Sequence, residues 1–291
     1  MAGWCDPDGL AYSMSGFMQA LSEKDGPMIV DRRIDDGTPF DWGRTSADYA
    51  RYRDIYPPQF YRMILDRGLC RDGQRVLDLG TGTGVLPRNM ARYGATWVGV
   101  DISAEQIGQA RRLSESAEAT RGIEYHVSAA ADVDFPDASF DVVTACQCFW
   151  YFDHEAVCGR LRRLLKPGGR FLVMVMEWLP FEDEIAGASE RLVLKYSPHW
   201  SGAGERMHPI AIPYCYQDAF ELVHHEERKL KVPFTRESWN GRMKACRGIG
   251  ASLDPEHVAA WEREHMALLE RIAPERFDVL HYAAMAELKR I

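Results

Sequence analysis

The sequence predicts an α/β fold, a mostly parallel sheet covered by helices on both faces. Three observations point there. Short apolar runs alternate with amphipathic segments from residue 75 to 176. The run Val76-Leu77-Asp78-Leu79 enters a loop with glycine at every second position, Gly80, Gly82 and Gly84. A second run, Thr96 to Val100, closes on Asp101. Strands that alternate with helices are joined by crossovers, and crossovers make strands pair in parallel.

Element by element, Ser46 caps a helix running toward Tyr56, where Pro57 and Pro58 break it, and a short helix covers Phe60 to Arg67. Arg75 to Leu79 is the first strand. Leu86 to Tyr93 is a helix stopped by Gly94, and Thr96 to Val100 is the second strand. Ser103 and Gln106 form a capping box for a helix reaching about Ala119. Ile123 to Val127 is strand three. Phe140 to Cys146 is strand four, announced by the turn Pro136-Asp137-Ala138-Ser139. Asp153 caps a helix with Leu161, Leu164 and Leu165 on one face, and Lys166-Pro167-Gly168-Gly169 turns it into strand five, Arg170 to Met176. The rhythm then changes. Phe181 to Tyr196 reads as a helix, followed by a Pro/Gly-punctuated loop to Pro213. Tyr216 to Leu222 reads as a helix, Val223 to Val232 as a strand, Arg236 to Arg247 and Pro255 to Ile272 as helices, and Phe277 to Leu288 as the last strand.

The 291 residues are enough for one large or two small domains. Hydrophobic content of 46% and charged content of 27% are those of a globule with a sizeable core. A net charge of −8 offers no general attraction to polyphosphate, so nucleic acid is not expected as a partner. Asp6 and Asp8 near the start argue against a signal peptide, and the apolar strand Phe171 to Met176 is far too short to span a bilayer. No membrane partner is expected. Seven cysteines without paired spacing suit a reducing compartment, so a cytoplasmic protein is expected.

The glycine loop followed by Asp101 describes a cradle for an adenosine-bearing cofactor: glycines let backbone approach the ligand, and the carboxylate takes ribose hydroxyls. A dinucleotide fingerprint starting at Gly80 and Gly82 would place its third small residue at position 85, which is Val85. Here the third glycine comes one residue early, and Asp78 precedes the loop. A pyrophosphate gains little beside a carboxylate, whereas a ligand with a cationic end tolerates it. This D-x-G-x-G-x-G pattern resembles that of the class I S-adenosylmethionine-dependent methyltransferases.

The resemblance covers residues 45 to 180 well and the rest loosely. It implies a Rossmann-like seven-stranded sheet whose last two strands are antiparallel at one edge. It also implies an N-terminal arm over 1–44 and a methyltransferase domain over 45–291, with helical lid insertions after strands five and six at about 178–213 and 235–273. It places Gly80, Thr81, Gly82 and Gly84 against the cofactor, with Asp78 beneath its amino-acid end. Asp101 would hold the ribose and Ile102 would pack on adenine. The third cofactor segment departs from the pattern: Ala129 stands where a polar side chain is usual, so recognition there falls to backbone around Ala130 and Ala131 or to Asp132. Cys146 and Gln147 leave strand four where the family lines the methionine part. The segment from Tyr49 through Arg53 to Pro57 is similar to the one before the core in methyltransferases of the trans-aconitate and quinone-biosynthesis type. A tyrosine such as Tyr49, or Arg53, would then bind the cofactor carboxylate; a solvated amphipathic helix is the alternative.

For the acceptor, the aromatic run Phe149-Trp150-Tyr151-Phe152 and the strand-five end Glu177-Trp178 are the local candidates. Arg236, Trp239 and Arg242 are spaced three apart and can share one helix face. Their arginines would clamp an acidic acceptor, with a solvated basic face as the alternative. His154 is the best-placed general base, and Tyr151 and Glu177 are the other catalytic candidates. His208 and His281 have no supporting context. His224 and His225 face opposite ways on a strand, and no metal is expected. The expected function is methyl transfer from S-adenosylmethionine to a small molecule, by a monomer or homodimer. A cofactor-binding protein without transfer activity and a nicotinamide-dependent enzyme are the competing readings.

Overall fold

The computed structural model describes residues 4–5, 18–22 and 25–291, and the expectation built on Asp6 and Asp8 lies outside the described residues. Seven strands make the central sheet: β1 (Arg75–Leu79), β2 (Thr96–Asp101), β3 (Glu124–Val127), β4 (Phe140–Cys146), β5 (Leu165–Trp178), β6 (Phe220–Thr235) and β7 (Arg276–Arg290). Their spatial order is β6-β7-β5-β4-β1-β2-β3. The first five strands pair in parallel. β7 runs antiparallel between β5 and β6. The seven-stranded, mostly parallel sheet and its antiparallel edge agree with the fold predicted from the sequence. Chain order reverses between β1 and β4, and ligands bind beyond the carboxyl ends of strands at such a reversal.

Period-two alternation sends the two sides of each strand into different cores. On β5, Leu172, Met174 and Met176 join one apolar cluster with Phe60, Met90, Val193 and Trp261. Phe171, Val173 and Val175 join the other, with Val157, Leu161 and Leu164. The covering helices are α1 (Ser46–Tyr52), α2 (Pro58–Asp66), α3 (Val85–Met90), α4 (Ala104–Glu115), α5 (His154–Leu164), α6 (Glu184–Tyr196), α7 (Arg236–Lys244) and α8 (Pro255–Ile272). Side-chain N-caps fix the starts of α4 to α8, whereas α1, α2 and α3 have none, and Ser46 is the first helical residue of α1 rather than its cap. Ser103 accepts from the Gln106 N–H, Asp153 from Ala156, Asp183 from Ala186 and Asp254 from His257. Three of the helices meet at a buried polar knot. His265 on α8 lies 2.8 Å from Asn240 Oδ1 and 2.9 Å from Ser189 Oγ, and Trp239 Nε1 donates to the same hydroxyl at 2.9 Å.

Several elements depart from expectation. No helix covers Tyr216 to Leu222. A 3₁₀ turn over Tyr214–Tyr216 leads into β6, which starts at Phe220 and pairs with the end of β7. Ladder pairing with a distant strand overrides the weak local helical pattern there. α1 ends at Tyr52, not at Tyr56: residues 53–57 belong to no helix, Pro57 is extended, and Asp54 is held by Asn89 at 2.8 Å. α6 begins at Glu184 because Asp183 caps it, and α7 stops at Lys244, short of Arg247. Helix α5 is not followed by a separate turn: β5 already pairs at Leu165, and residues 166–169 bulge out before Arg170 meets Val142.

Candidate functional site

A cavity of about 980 Å³ opens above the carboxyl ends of β1, β2, β4 and β5. Its floor is the glycine loop. Gly80, Gly82 and Gly84 all have left-handed φ, at +62°, +56° and +73°. A Cβ on Gly80 would lie 2.7 Å from Cys148 Sγ, whereas one on Gly82 would meet nothing within 4 Å. Gly82 therefore turns its bare side to open space. The loop is braced from below: Asp78 Oδ2 accepts from Thr81 Oγ1 and Oδ1 from Thr144 Oγ1, both at 2.6 Å. Burial raises the Asp78 carboxyl from 3.8 to about 6, against the pull of those two hydroxyls.

Asp101 ends β2 at the rim. Its Oδ2 accepts from Gly82 N at 2.8 Å and its Oδ1 from Ser103 N at 2.9 Å. The carboxylate is thus oriented by the loop it faces. Ile102 and residues 129–132 line the cavity beside it, and no side-chain amide or carboxamide stands at Ala129. At the end of β4, Gln147 adopts φ +66°. Its Nε2 donates to the Met176 carbonyl, while its Oε1 is buried without a hydrogen-bond partner. A non-glycine residue held in that conformation with an unused acceptor suits a ligand-binding role. Cys146 Sγ lies 3.3 Å from Tyr56 Oη, which brings the segment after α1 over the β4 terminus.

The other end of the cavity is aromatic and charged. Tyr49 and Arg53 reach in from α1, with the guanidinium 4.4 Å from the Tyr49 ring centre. Trp150, Tyr151, Trp178 and Trp200 form walls. Trp178 is fixed by its indole N–H to Glu190 at 2.9 Å. Arg242 lies over the Trp178 ring at 4.8 Å, and Glu177 Oε2 is 4.0 Å from its Nη2. Burial raises the Glu177 carboxyl above its ordinary range, opposed by Arg242 and Arg53. His154 is also on the wall, between Phe149 and Tyr216, and burial lowers its ring to about 4.

Of the residues expected from the sequence to touch cofactor or acceptor, three do not line the cavity. Gly84 turns toward Tyr125, whose hydroxyl would be 2.4 Å from an added Cβ. Trp239 is wholly buried in the polar knot of α6, α7 and α8. Arg236 donates instead to the Ala273 carbonyl at 2.7 Å. Arg236, Trp239 and Arg242 therefore do not form one arginine face at the cavity. A three-residue step falls short of the 3.6-residue turn, so positions six apart diverge by roughly 120°. His281 is buried against the Val279 carbonyl, and His208 lies at the rim, 2.9 Å from Glu205.

Sequence reasoning missed the strap across this end. Asp35, from the segment before α1, accepts from Arg247 Nε at 2.6 Å and Nη2 at 3.0 Å. It also accepts from the Ser201 N–H at 2.7 Å and Oγ at 2.9 Å, and Arg247 bonds to Tyr151 Oη. Ile29, Asp31, Ile34 and Trp42 of the same segment line the cavity. No local periodicity marks these partners, which are 166 and 212 residues apart in sequence.

Residues 77–173 match the family model described as a methyltransferase domain. The glycine loop, Asp101 and strands β1 to β4 lie within or at the edge of this matched stretch. Among curated relatives, a ubiquinone biosynthesis O-methyltransferase of Bradyrhizobium sp. is 36% identical over 132 residues, covering 44% of this chain and 50% of the relative. A demethylmenaquinone methyltransferase of Thermus thermophilus is 38% identical over 118 residues, covering 39% and 52%. The chain spans about half the length of the curated relatives it matches.

Proposed function

We propose that this chain transfers the methyl group of S-adenosylmethionine to a small-molecule acceptor. The observation that carries the reading is a cavity with Asp101 at one rim and, toward the other end, the buried carboxyl of Asp78 and the unpartnered Gln147 Oε1. That arrangement suits a ligand with ribose hydroxyls at one end and cationic sulfur and nitrogen at the other. The bare side of Gly82 gives such a ligand room to lie on the loop. When bound, S-adenosylmethionine supplies an electrophilic methyl group on a sulfonium. Asp101 would orient the ribose, Ile102 and residues 129–132 the adenine, and Arg53 the cofactor carboxylate. Trp150, Trp178 and Trp200 would hold the acceptor in line and keep water out, an alignment that contributes about 7–11 kcal/mol in well-oriented reactions. Glu177 is the proton acceptor we favour for an acceptor that must lose one. Its burial keeps the carboxyl closer to neutral pH than an exposed one, whereas His154 is lowered to about 4 and is a poor base.

Incubation of the protein with methyl-labelled S-adenosylmethionine and fractionated metabolite extract tests this. Label is expected in a low-molecular-weight product; label found only in protein or nucleic acid contradicts the reading. Seven cysteines without paired spacing support a cytoplasmic setting.

Asp78 adds a pH dependence. Its folded value near 6 exceeds the 3.8 of a free aspartate, so the native state holds the proton more tightly. Stability from this group is complete below about pH 4 and is lost as pH rises through 6, by about 3 kcal/mol. A bound sulfonium favours the ionised form and lowers that value. The affinity for S-adenosylmethionine relative to neutral-sulfur S-adenosylhomocysteine is therefore expected to rise several-fold from about pH 5 to 7.5. Calorimetric titrations of both ligands with wild type and Asp78→Asn check it; a pH-independent ratio in wild type counts against the assignment.

A further inference from the structure

The residues assigned to the donor leave one buried cation in the cavity without a role. Arg242 has a side chain only 2% exposed, yet it lines the cavity. Its Nε has no hydrogen-bond partner, and its Nη1 meets only the Cys246 sulfur, at 3.5 Å. The nearest carboxylate oxygen, on Glu177, stands at 4.0 Å, beyond hydrogen-bond reach. Buried arginines are ordinarily paired, because an unpaired guanidinium forfeits its hydration without return.

The fold holds Arg242 in this position deliberately. A Cβ on Gly241 would fall 2.3 Å from the Tyr52 ring, so α7 lies tight on α1 and directs the next residue inward beside Arg53. One face of the guanidinium is covered by Trp178, which Glu190 fixes. Arg247, the neighbouring cation, is already engaged by Asp35, Ser201 and Tyr151. In this corner the guanidiniums of Arg53 and Arg242 face the carboxyl of Glu177, with Glu205 and Arg247 further along the same wall.

Resting on the methyl-transfer reading above, we propose that Arg242 is the docking point for a carboxylate carried by the methyl acceptor, so that the acceptor is an organic acid. A planar carboxylate matches the free edge of a guanidinium and accepts from two of its N–H groups at once. Trp178 and Trp200 give the body of such an acid an aromatic wall.

The test uses the full chain saturated with S-adenosylhomocysteine. Benzoate and phenylacetate are titrated against it, with the neutral isosteres benzamide and phenylacetamide as controls. At least one acid is expected to bind, with its amide about tenfold weaker or more. Arg242→Gln is expected to weaken acid binding by at least about tenfold while leaving S-adenosylhomocysteine affinity and the ligand-free unfolding temperature close to wild type. Arg242→Lys keeps the charge without the fork and is expected to bind the acids at an intermediate level. The proposal is overturned if neither acid binds, if amides bind as well as acids, or if Arg242→Gln binds the acids like wild type. It is also overturned if Arg242→Gln loses S-adenosylhomocysteine affinity instead, which would assign the arginine to the cofactor, or if both variants fail to fold, which would make it a packing residue. Failure of the wild type to bind S-adenosylhomocysteine at all is a different result, and it refutes the methyl-transfer reading itself.

Discussion

Asp101→Ala is expected to lower the affinity for S-adenosylhomocysteine by roughly a hundredfold or more. Hydrogen bonds to a charged group contribute about 1.5–3 kcal/mol each, and the Asp101 carboxylate would serve two ribose hydroxyls. It also holds the loop: Gly82 N and Ser103 N each lose an acceptor in the variant. Asp101→Asn retains shape and one acceptor oxygen, so its loss should be smaller. Calorimetry on both variants, with circular dichroism to show that they fold, checks the order. Equal affinity in Asp101→Ala and wild type would remove the ribose role.

The second large effect is on stability. Asp35→Ala takes the Asp35 carboxylate from the buried Arg247 and leaves both hydrogen bonds from Ser201 without that acceptor. Removing one partner of a buried ion pair costs about 3–5 kcal/mol, because the remaining charge is left in a poorly solvated place. For a chain of this size that corresponds to a fall in unfolding temperature of about 6–20 °C. The double variant Asp35→Ala/Arg247→Met removes both charges and should recover part of the loss. Asp35 and Asp36 both have positive φ, +51° and +52°, so the strap is also held in a conformation most residues avoid. If Asp35→Ala melts like wild type by calorimetry, the strap does not contribute to the fold.

The sheet was legible in the sequence because its evidence is local. Strands β1, β2, β4 and β5 are short apolar runs, and three of the helices that follow strands start at a Ser or Asp whose side chain caps them, Ser103, Asp153 and Asp183. The error at Tyr216 to Leu222 has the opposite cause. Phe220 and Leu222 are strand residues only because Arg290 and Leu288 lie beside them, and that pairing leaves no local trace. The same division runs through the site. The donor half sits in one loop and the strand ends around it, so Asp78, Gly80, Gly82 and Asp101 can be read together. The end of the cavity proposed for the acceptor is lined by Trp178, Trp200, Arg242 and Arg247, with Asp35 bound to Arg247, and only tertiary packing brings these together. Helical spacing tied Arg236 and Trp239 to Arg242, yet spacing says nothing of which way a face turns. Trp239 faces Ser189 in the core, and only Arg242 reaches the cavity.

The proposed reaction depends on the identity of the cofactor. The most direct measurement is an isothermal titration of the wild-type chain with S-adenosylhomocysteine and, separately, with NAD. One saturable site for S-adenosylhomocysteine and no measurable heat with NAD is the result predicted by the early third glycine at Gly84 and the acid at Asp78. Saturable binding of NAD with none of S-adenosylhomocysteine would contradict it.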